Sequence, residues 1–235
     1  MKQNKHKSAQ LPLALNVSDK ANFSNFHHGD NSELIAAIQS YVKRSESRSL
    51  YFYGPSSTGK SHLLFAAMRL AKNEGIKCSY LSLADSRISP EFLQELDLQH
   101  IICVDNVNEW AGDDFKEAAL FTMFEQIKHS GGHLIISAGK LPELCGFKLV
   151  DLVSRLASGL VYPLLELTDK QQAEAVKMRA NERGLIMADE VINYLLSRSS
   201  RNTGELFAIL DKIDRASLIE KRKVTIPFLR SIVSS

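Results

Sequence analysis

The sequence predicts an α/β domain built on a parallel sheet, followed by a small all-helical domain. Three observations carry this. Five short apolar runs alternate with helix-forming stretches up to about residue 166, and strands separated by helices imply βαβ crossovers. The pattern Gly-x-x-x-x-Gly-Lys-Ser at residues 54–61 stands between the first apolar run and the helix after it. Beyond Leu167 the strand signals stop and the apolar period becomes helical.

Taken in order, a helix is predicted from about Asp30, where Asp30-x-x-Glu33 offers a capping pair and Leu34, Ile38, Tyr41 and Val42 share a face. Leu50–Tyr53 is the first strand, and Lys60–Asn73 a helix that stops before Gly75. Cys78–Leu83 is the second strand, Ser89–Leu96 a helix with Pro90 in its first turn, and Ile101–Val104 the third strand. Asp114–His129 forms a helix ended by Gly131-Gly132, and Leu134–Ser137 and Leu160–Leu164 complete the strands. Thr168-x-x-Gln171 has the form of a capping box, starting a helix that Gly184 ends. Further helices are expected from Asp189 to Arg198, along the stripe Leu206, Ile209, Leu210, Ile213 and Ser217, and from Thr225 with Pro227 in the first turn. The predicted organisation is a flexible polar tail over residues 1–20, an α/β base over 21–166 and a helical lid over 167–235.

Composition narrows the function. The 235 residues carry 29 Lys and Arg against 27 Asp and Glu, a formal charge of +2. That balance argues against a binder whose affinity for nucleic acid rests on bulk charge. No apolar run approaches the ~20 residues of a membrane span, and residues 1–10 lack the apolar core of a signal peptide. Cys78, Cys103 and Cys145 suit a reduced compartment rather than a disulfide framework or a zinc site. The expectation is a soluble cytoplasmic protein.

Gly54-Pro55-Ser56-Ser57-Thr58-Gly59-Lys60-Ser61 matches the phosphate-binding loop in full, in the strand–loop–helix context that loop requires. Glycines let the backbone wrap phosphates, and the helix N-terminus supplies N–H donors. Lys60 would reach the β- and γ-phosphates and Ser61 would ligate Mg²⁺. Ile101-Ile102-Cys103-Val104-Asp105-Asn106 is an apolar strand ending in an acid, as a Walker B strand does, and Asp105 would hold the cation. Taken alone, the same residues describe a strand and an Asp-Asn turn. Asn106 cannot take up a proton as a carboxylate would, so rapid self-catalysed hydrolysis is not expected.

The P-loop, the Walker B strand and the helical lid together resemble an AAA+ module, and within that superfamily the DnaA-like family. Phe23-Ser24-Asn25-Phe26-His27-His28-Gly29-Asp30-Asn31 resembles the stretch that borders the nucleotide base in that family, which implies base-side contacts from Phe26 and His27. Asp105-Asn106-Val107-x-x-x-Ala111-Gly112 resembles its Walker B segment and following loop. The chain stops at Ser235, without the family's DNA-reading domain, and Leu206-Phe207, Leu210-Asp211, Asp214-Arg215-Ala216-Ser217 and Lys223-x-Thr225-Ile226-Pro227-Phe228 resemble the lid of the family's Hda-type regulators.

That resemblance implies two further roles. Gln10-Leu11-Pro12-Leu13-Ala14-Leu15 is similar to the sliding-clamp-binding hexapeptide of those regulators, with Ala14 in place of proline, so Gln10, Leu11, Leu13 and Leu15 would bind the clamp. Without the rest of the chain it is a mildly apolar patch in a polar tail. Arg155, in Asp151-Leu152-Val153-Ser154-Arg155-Leu156, matches the box VII arginine finger, although a lone arginine on a short helix is by default a surface residue. Two departures weaken the case for intrinsic hydrolysis. Gly139, in Ser137-Ala138-Gly139-Lys140, stands where the family usually has Asp, and Gly204 stands where it has the sensor II arginine, with Arg201 one turn earlier.

The expected protein is therefore an ADP- or ATP-holding adaptor, with Mg²⁺ as the accompanying ion. It would dock on the DNA polymerase III sliding clamp (the β subunit), meet DNA only through the clamp, and use Arg155 in trans to stimulate hydrolysis of ATP held by DnaA. The outcome would be negative regulation of replication initiation, by a homodimer or higher oligomer with little ATPase of its own. The alternative is a self-contained AAA+ ATPase such as a helicase loader or transposition helper.

Overall fold

The computed structural model describes residues 21–44, 49–96, 98, 100–198, 202–220 and 224–233. Five strands, β1 (Ser49–Tyr53), β2 (Cys78–Ser82), β3 (Ile101–Asp105), β4 (His133–Ala138) and β5 (Leu160–Pro163), form one sheet in the order β2-β3-β4-β1-β5. Every pairing is parallel, with Leu50 opposite Ile135 and Leu160, Tyr80 opposite Cys103, and Cys103 opposite Ile135. All five residues of β3 are buried, as are all but the first of β4. A parallel strand covered on both faces has no polar side to show, so it appears in the sequence as an unbroken apolar run.

Helices α1 (Ser32–Arg44) and α2 (Lys60–Asn73) cover one face. There Leu34, Ile38, Leu63 and Leu64 pack on Leu50, Phe52, Cys103 and Ile135. Helices α3 (Pro90–Gln94), α4 (Asp114–Ser130) and α5 (Val150–Ala157) cover the other, setting Leu93, Leu120, Met123, Leu152 and Leu156 against Tyr51, Ile102, Leu134 and Ile136. Each fully buried Leu or Ile adds about 1.5–3 kcal/mol relative to exposure. The chain leaves β1 for the far edge at β2, returns strand by strand, and leaves β4 for β5 beyond β1. The parallel arrangement puts the carboxyl ends of β1 and β3 on one rim of the sheet.

Four helices follow: α6 (Asp169–Glu182), α7 (Asp189–Arg198), α8 (Thr203–Glu220) and α9 (Ile226–Val233). They close around a separate core of Val176, Ile192, Leu195, Leu206, Leu210 and Leu229. The expected capping box starts α6: Gln171 N–H donates to Thr168 Oγ1 and Thr168 N–H to Gln171 Oε1. Among the described residues no helix is long and apolar enough to cross a membrane.

The first helix differs from expectation. It begins at Ser32, and Asp30 does not cap it. Asp30 accepts instead from Gln171 Nε2 in the lid. The Asn31 side chain exchanges two hydrogen bonds with the backbone of Leu165, at 2.7 and 3.0 Å. Both side chains are spent on distant partners, which no local pattern reveals.

Candidate functional site

The loop between β1 and α2 folds back on itself. Lys60 Nζ donates to the carbonyls of Gly54 (2.7 Å) and Pro55 (2.6 Å), and Thr58 Oγ1 donates to Pro55 O at 2.9 Å. Ser57 holds φ of 63°, uncommon for a residue with a side chain. Two glycines are required by shape. A Cβ on Gly54 would lie 2.3 Å from the Leu164 carbonyl oxygen, and one on Gly59, where φ is +99°, would meet the Phe26 ring at 2.6 Å. No side chain caps the N-terminus of α2, leaving N–H donors and the positive helix end open to an anion. Burial pulls the Lys60 ammonium below its ordinary pKa, against the opposing charge of Asp105.

Asp105 is buried at the end of β3 and accepts three hydroxyls: Ser61 Oγ at 2.5 Å, Tyr80 OH at 2.8 Å and Ser137 Oγ. Ser61 reaches it from the P-loop helix, so the Gly-Lys-Ser motif and the acidic strand end meet as one cluster. Burial, with Asp105 beside it, pushes the Tyr80 phenol well above its usual pKa. Asn106 follows with φ of 57° and its N–H 3.2 Å from Ser137 Oγ. Asparagine is one of the few non-glycine residues suited to this left-handed conformation, so the amide at 106 has a backbone reason as well as a chemical one.

Between base and lid lies a cleft of about 580 Å³. Its base wall is Pro55–Ser61 and Asn106, and its outer wall is Asn25, Phe26 and His27, with the Phe26 ring 5.3 Å from that of His62. The lid contributes Gln172, Ala175, Met178 and Arg179 from α6, and Thr203, Gly204 and Phe207 from α8. His27 Nε2 stands 3.1 Å from Glu174 Oε2, tying the outer wall to the lid. Gly204 presses on the P-loop: a Cβ there would stand 2.8 Å from Ser57 Oγ. At Gly139 the nearest atom to an added Cβ is Asn108 Oδ1 at 3.8 Å, so a larger residue fits.

The predicted P-loop residues, Asp105, Asn106, Phe26 and His27 thus come together. Arg155 does not join them. It sits in the last turn of α5 on another face, paired with Glu125 of α4 and beside Ser158 and Gly159. Gln10, Leu11, Leu13 and Leu15, and also Arg201, lie outside the described residues. Sequence reasoning missed Tyr80, His62 and Arg179. Tyr80 could have been found two residues short of the register position opposite Asp105, but the lid residues carry no local signal.

An uncapped Gly-Lys-Ser helix, a buried strand-end carboxylate bonded to its serine, and a helical lid over the cleft define a P-loop nucleotide-binding fold of the AAA+ class. Residues 17–163 match the family model of the bacterial DnaA ATPase domain, and residues 169–233 that of the Hda lid domain. The chain belongs to the DnaA-like AAA+ family, and its lid is similar to that of Hda.

Solved structures agree on the fold. Domain III of the Thermotoga maritima replication initiation protein DnaA is 22% identical with a TM-score of 0.79, over 92% of this chain and 97% of that one. AMPPCP-bound DnaA from Aquifex aeolicus is 24% identical with a TM-score of 0.70, over 83% of this chain and 65% of that one. The Thermotoga maritima RuvB Holliday junction branch migration motor is 15% identical with a TM-score of 0.65, over 86% of this chain and 66% of that one.

Proposed function

We propose that this chain is a nucleotide-holding regulator of the replication initiator DnaA, acting by the route of Hda. The observation that carries the reading is an Hda-type lid on a DnaA-type base, joined around one cleft. The cleft falls within the ~300–1,000 Å³ of small-molecule sites, and its residues fit a nucleoside di- or triphosphate. Lys60 and the N–H groups opening α2 would hold the phosphates, Phe26 and His27 would border the base, and Ser61 and Asp105 would hold Mg²⁺. The bound nucleotide supplies negative charge where base and lid meet. Gly54 and Gly59 keep the loop close enough to wrap that charge, and Asn106 offers an amide where proton abstraction would need a carboxylate. Weak intrinsic hydrolysis follows.

Arg155 then acts outside its own cleft. Its side chain is 40% exposed, and on leaving Glu125 the guanidinium would reach a γ-phosphate held by DnaA and neutralise charge that builds on it. Fingers of this type raise hydrolysis by ~10³–10⁵. Gln10, Leu11, Leu13 and Leu15 would hold the chain to the DNA-loaded sliding clamp as an extended peptide.

The test is ATP hydrolysis by the purified chain alone, by DnaA alone, and by both with loaded clamp. Stimulation only in the full mixture supports the reading, and its loss on replacing Gln10, Leu11, Leu13 and Leu15 with alanine places the clamp contact. Rapid hydrolysis by the chain alone overturns it in favour of a self-contained ATPase.

A further inference from the structure

The cleft's charge is unevenly built. Among the described residues on the base side Lys60 carries the cleft's one fixed positive charge, and Glu166 sets a carboxylate in the same wall. A phosphate chain of two or more negative charges taken out of water gains from a further cation beside it. On the lid side the second residue of α8 is Gly204, which has no side chain to offer.

The one cation that the lid's described residues place on the cleft is Arg179. It shares a helix face with Ala175 and Gln172, about one and two turns away respectively. Its guanidinium carbon lies 5.4 Å from the centre of the Phe207 ring on α8, so it is braced between two lid helices. Its side chain is 22% exposed, and its nearest carboxylate, Glu182, stands 3.7 Å from one terminal nitrogen. The Nε is buried and has no hydrogen-bond partner. An arginine held in place with donors unspent is built to take an oxyanion. Burial, and after it the neighbouring Arg183, work against its charge, a cost that an anion in the cleft would offset.

We infer that Arg179 is the lid's phosphate-binding cation: it closes on the phosphate chain of a nucleotide from the side opposite Lys60. This rests on the nucleotide reading of the cleft. It makes lid position depend on the phosphates, where a base-only contact would not.

The experiment compares wild type, Arg179→Gln and Arg179→Lys by displacement of a fluorescent ribose-labelled ADP, with ADP and adenosine as competitors to millimolar concentration. Gln keeps a planar polar end against Phe207 but removes the charge. The expected result is a loss of about ten- to a hundredfold in ADP affinity in Arg179→Gln, unchanged adenosine affinity, and partial recovery in Arg179→Lys. Equal losses for ADP and adenosine would mean that Arg179 only packs the lid, and would overturn the inference. So would unchanged ADP affinity. If adenosine does not compete even with wild type, Lys decides: recovery of ADP affinity supports the inference and no recovery overturns it. A wild-type chain that binds no labelled ADP overturns the nucleotide reading itself, so the two failures are distinct.

Discussion

The Nε of Arg155 stands 2.7 Å from a carboxylate oxygen of Glu125, one helix away on α4. The pair is close enough for charge attraction, yet that oxygen is buried and has no well-directed hydrogen bond. With each side chain a third or more exposed, such a pair stabilises the fold by about 0–1 kcal/mol. It is cheap to break, which suits the trans role proposed for Arg155.

Arg155→Ala is expected to leave melting temperature and nucleotide affinity nearly unchanged and to cut stimulated hydrolysis on DnaA by at least ~10²-fold. Lysine should rescue poorly, since a point charge does not reproduce the planar fork. Loss of stability together with every function would instead mark a structural arginine, and no change in any assay an idle one. Glu125→Gln, by freeing the guanidinium, should preserve or raise stimulation.

Lys60→Ala should abolish nucleotide binding in calorimetric titration. The substitution removes both the cleft's base-side cation and the two bonds that fold the loop over Gly54 and Pro55. Added ADP should raise the melting temperature of wild type and leave that of the variant unmoved. Equal ADP-induced shifts in the two proteins would sink the P-loop assignment.

Glu117 anchors the chain that leads into α5, the helix carrying Arg155. Its buried carboxylate accepts the backbone N–H groups of Gly112, Lys148 and Leu149, the last two immediately before α5. Glu117→Ala strands three donors, each costing about 1–3 kcal/mol if it stays buried and unpaired. A fall of several degrees in melting temperature is expected, with stimulation of DnaA lost although Arg155 is intact. Preserved stability would show that the segment before α5 finds other partners.

His62 gives the fold a pH dependence of definite sign. Burial, aided by the Arg179 charge, lowers its pKa below the ordinary 6.5, against the pull of the Asn22 carbonyl. The neutral ring bonds that carbonyl through Nε2 at 3.0 Å. Below pH 6.5 the unfolded chain binds the proton more readily than the folded one, so stability is full above that value and declines as pH falls toward the folded pKa. Denaturant midpoints measured from pH 7.5 to 5 should drop, and His62→Gln should flatten the drop. An identical slope in the variant would assign the effect to another group.

What could be read from the sequence was what is contiguous in it. β3 and β4 announce themselves because both faces are buried, and Gly54–Ser61 because the loop, its lysine and its serine are consecutive. Thr168 and Gln171 cap α6 as their spacing implies, since both partners lie within one turn. Asp30 misled because its partner is Gln171 in the lid, and Tyr80, His62 and Arg179 stayed hidden because their neighbours are set by sheet register and lid closure. Arg155 was visible only through family resemblance; nothing in its own segment separates it from any exposed arginine.

The stretch from Asn25 to Asn31 serves two masters. It is a wall of the cleft, and through His27, Asp30 and Asn31 it grips Glu174, Gln171 and the backbone of Leu165. The clamp tethering proposed for residues 10–15 and the filling of the cleft would be linked to the extent that both shift these contacts. The two events then share one free-energy account: whatever factor the occupied cleft imposes on tethering, tethering must impose on the occupant, with the same sign and size. An affinity for one measured without the other would then omit that factor.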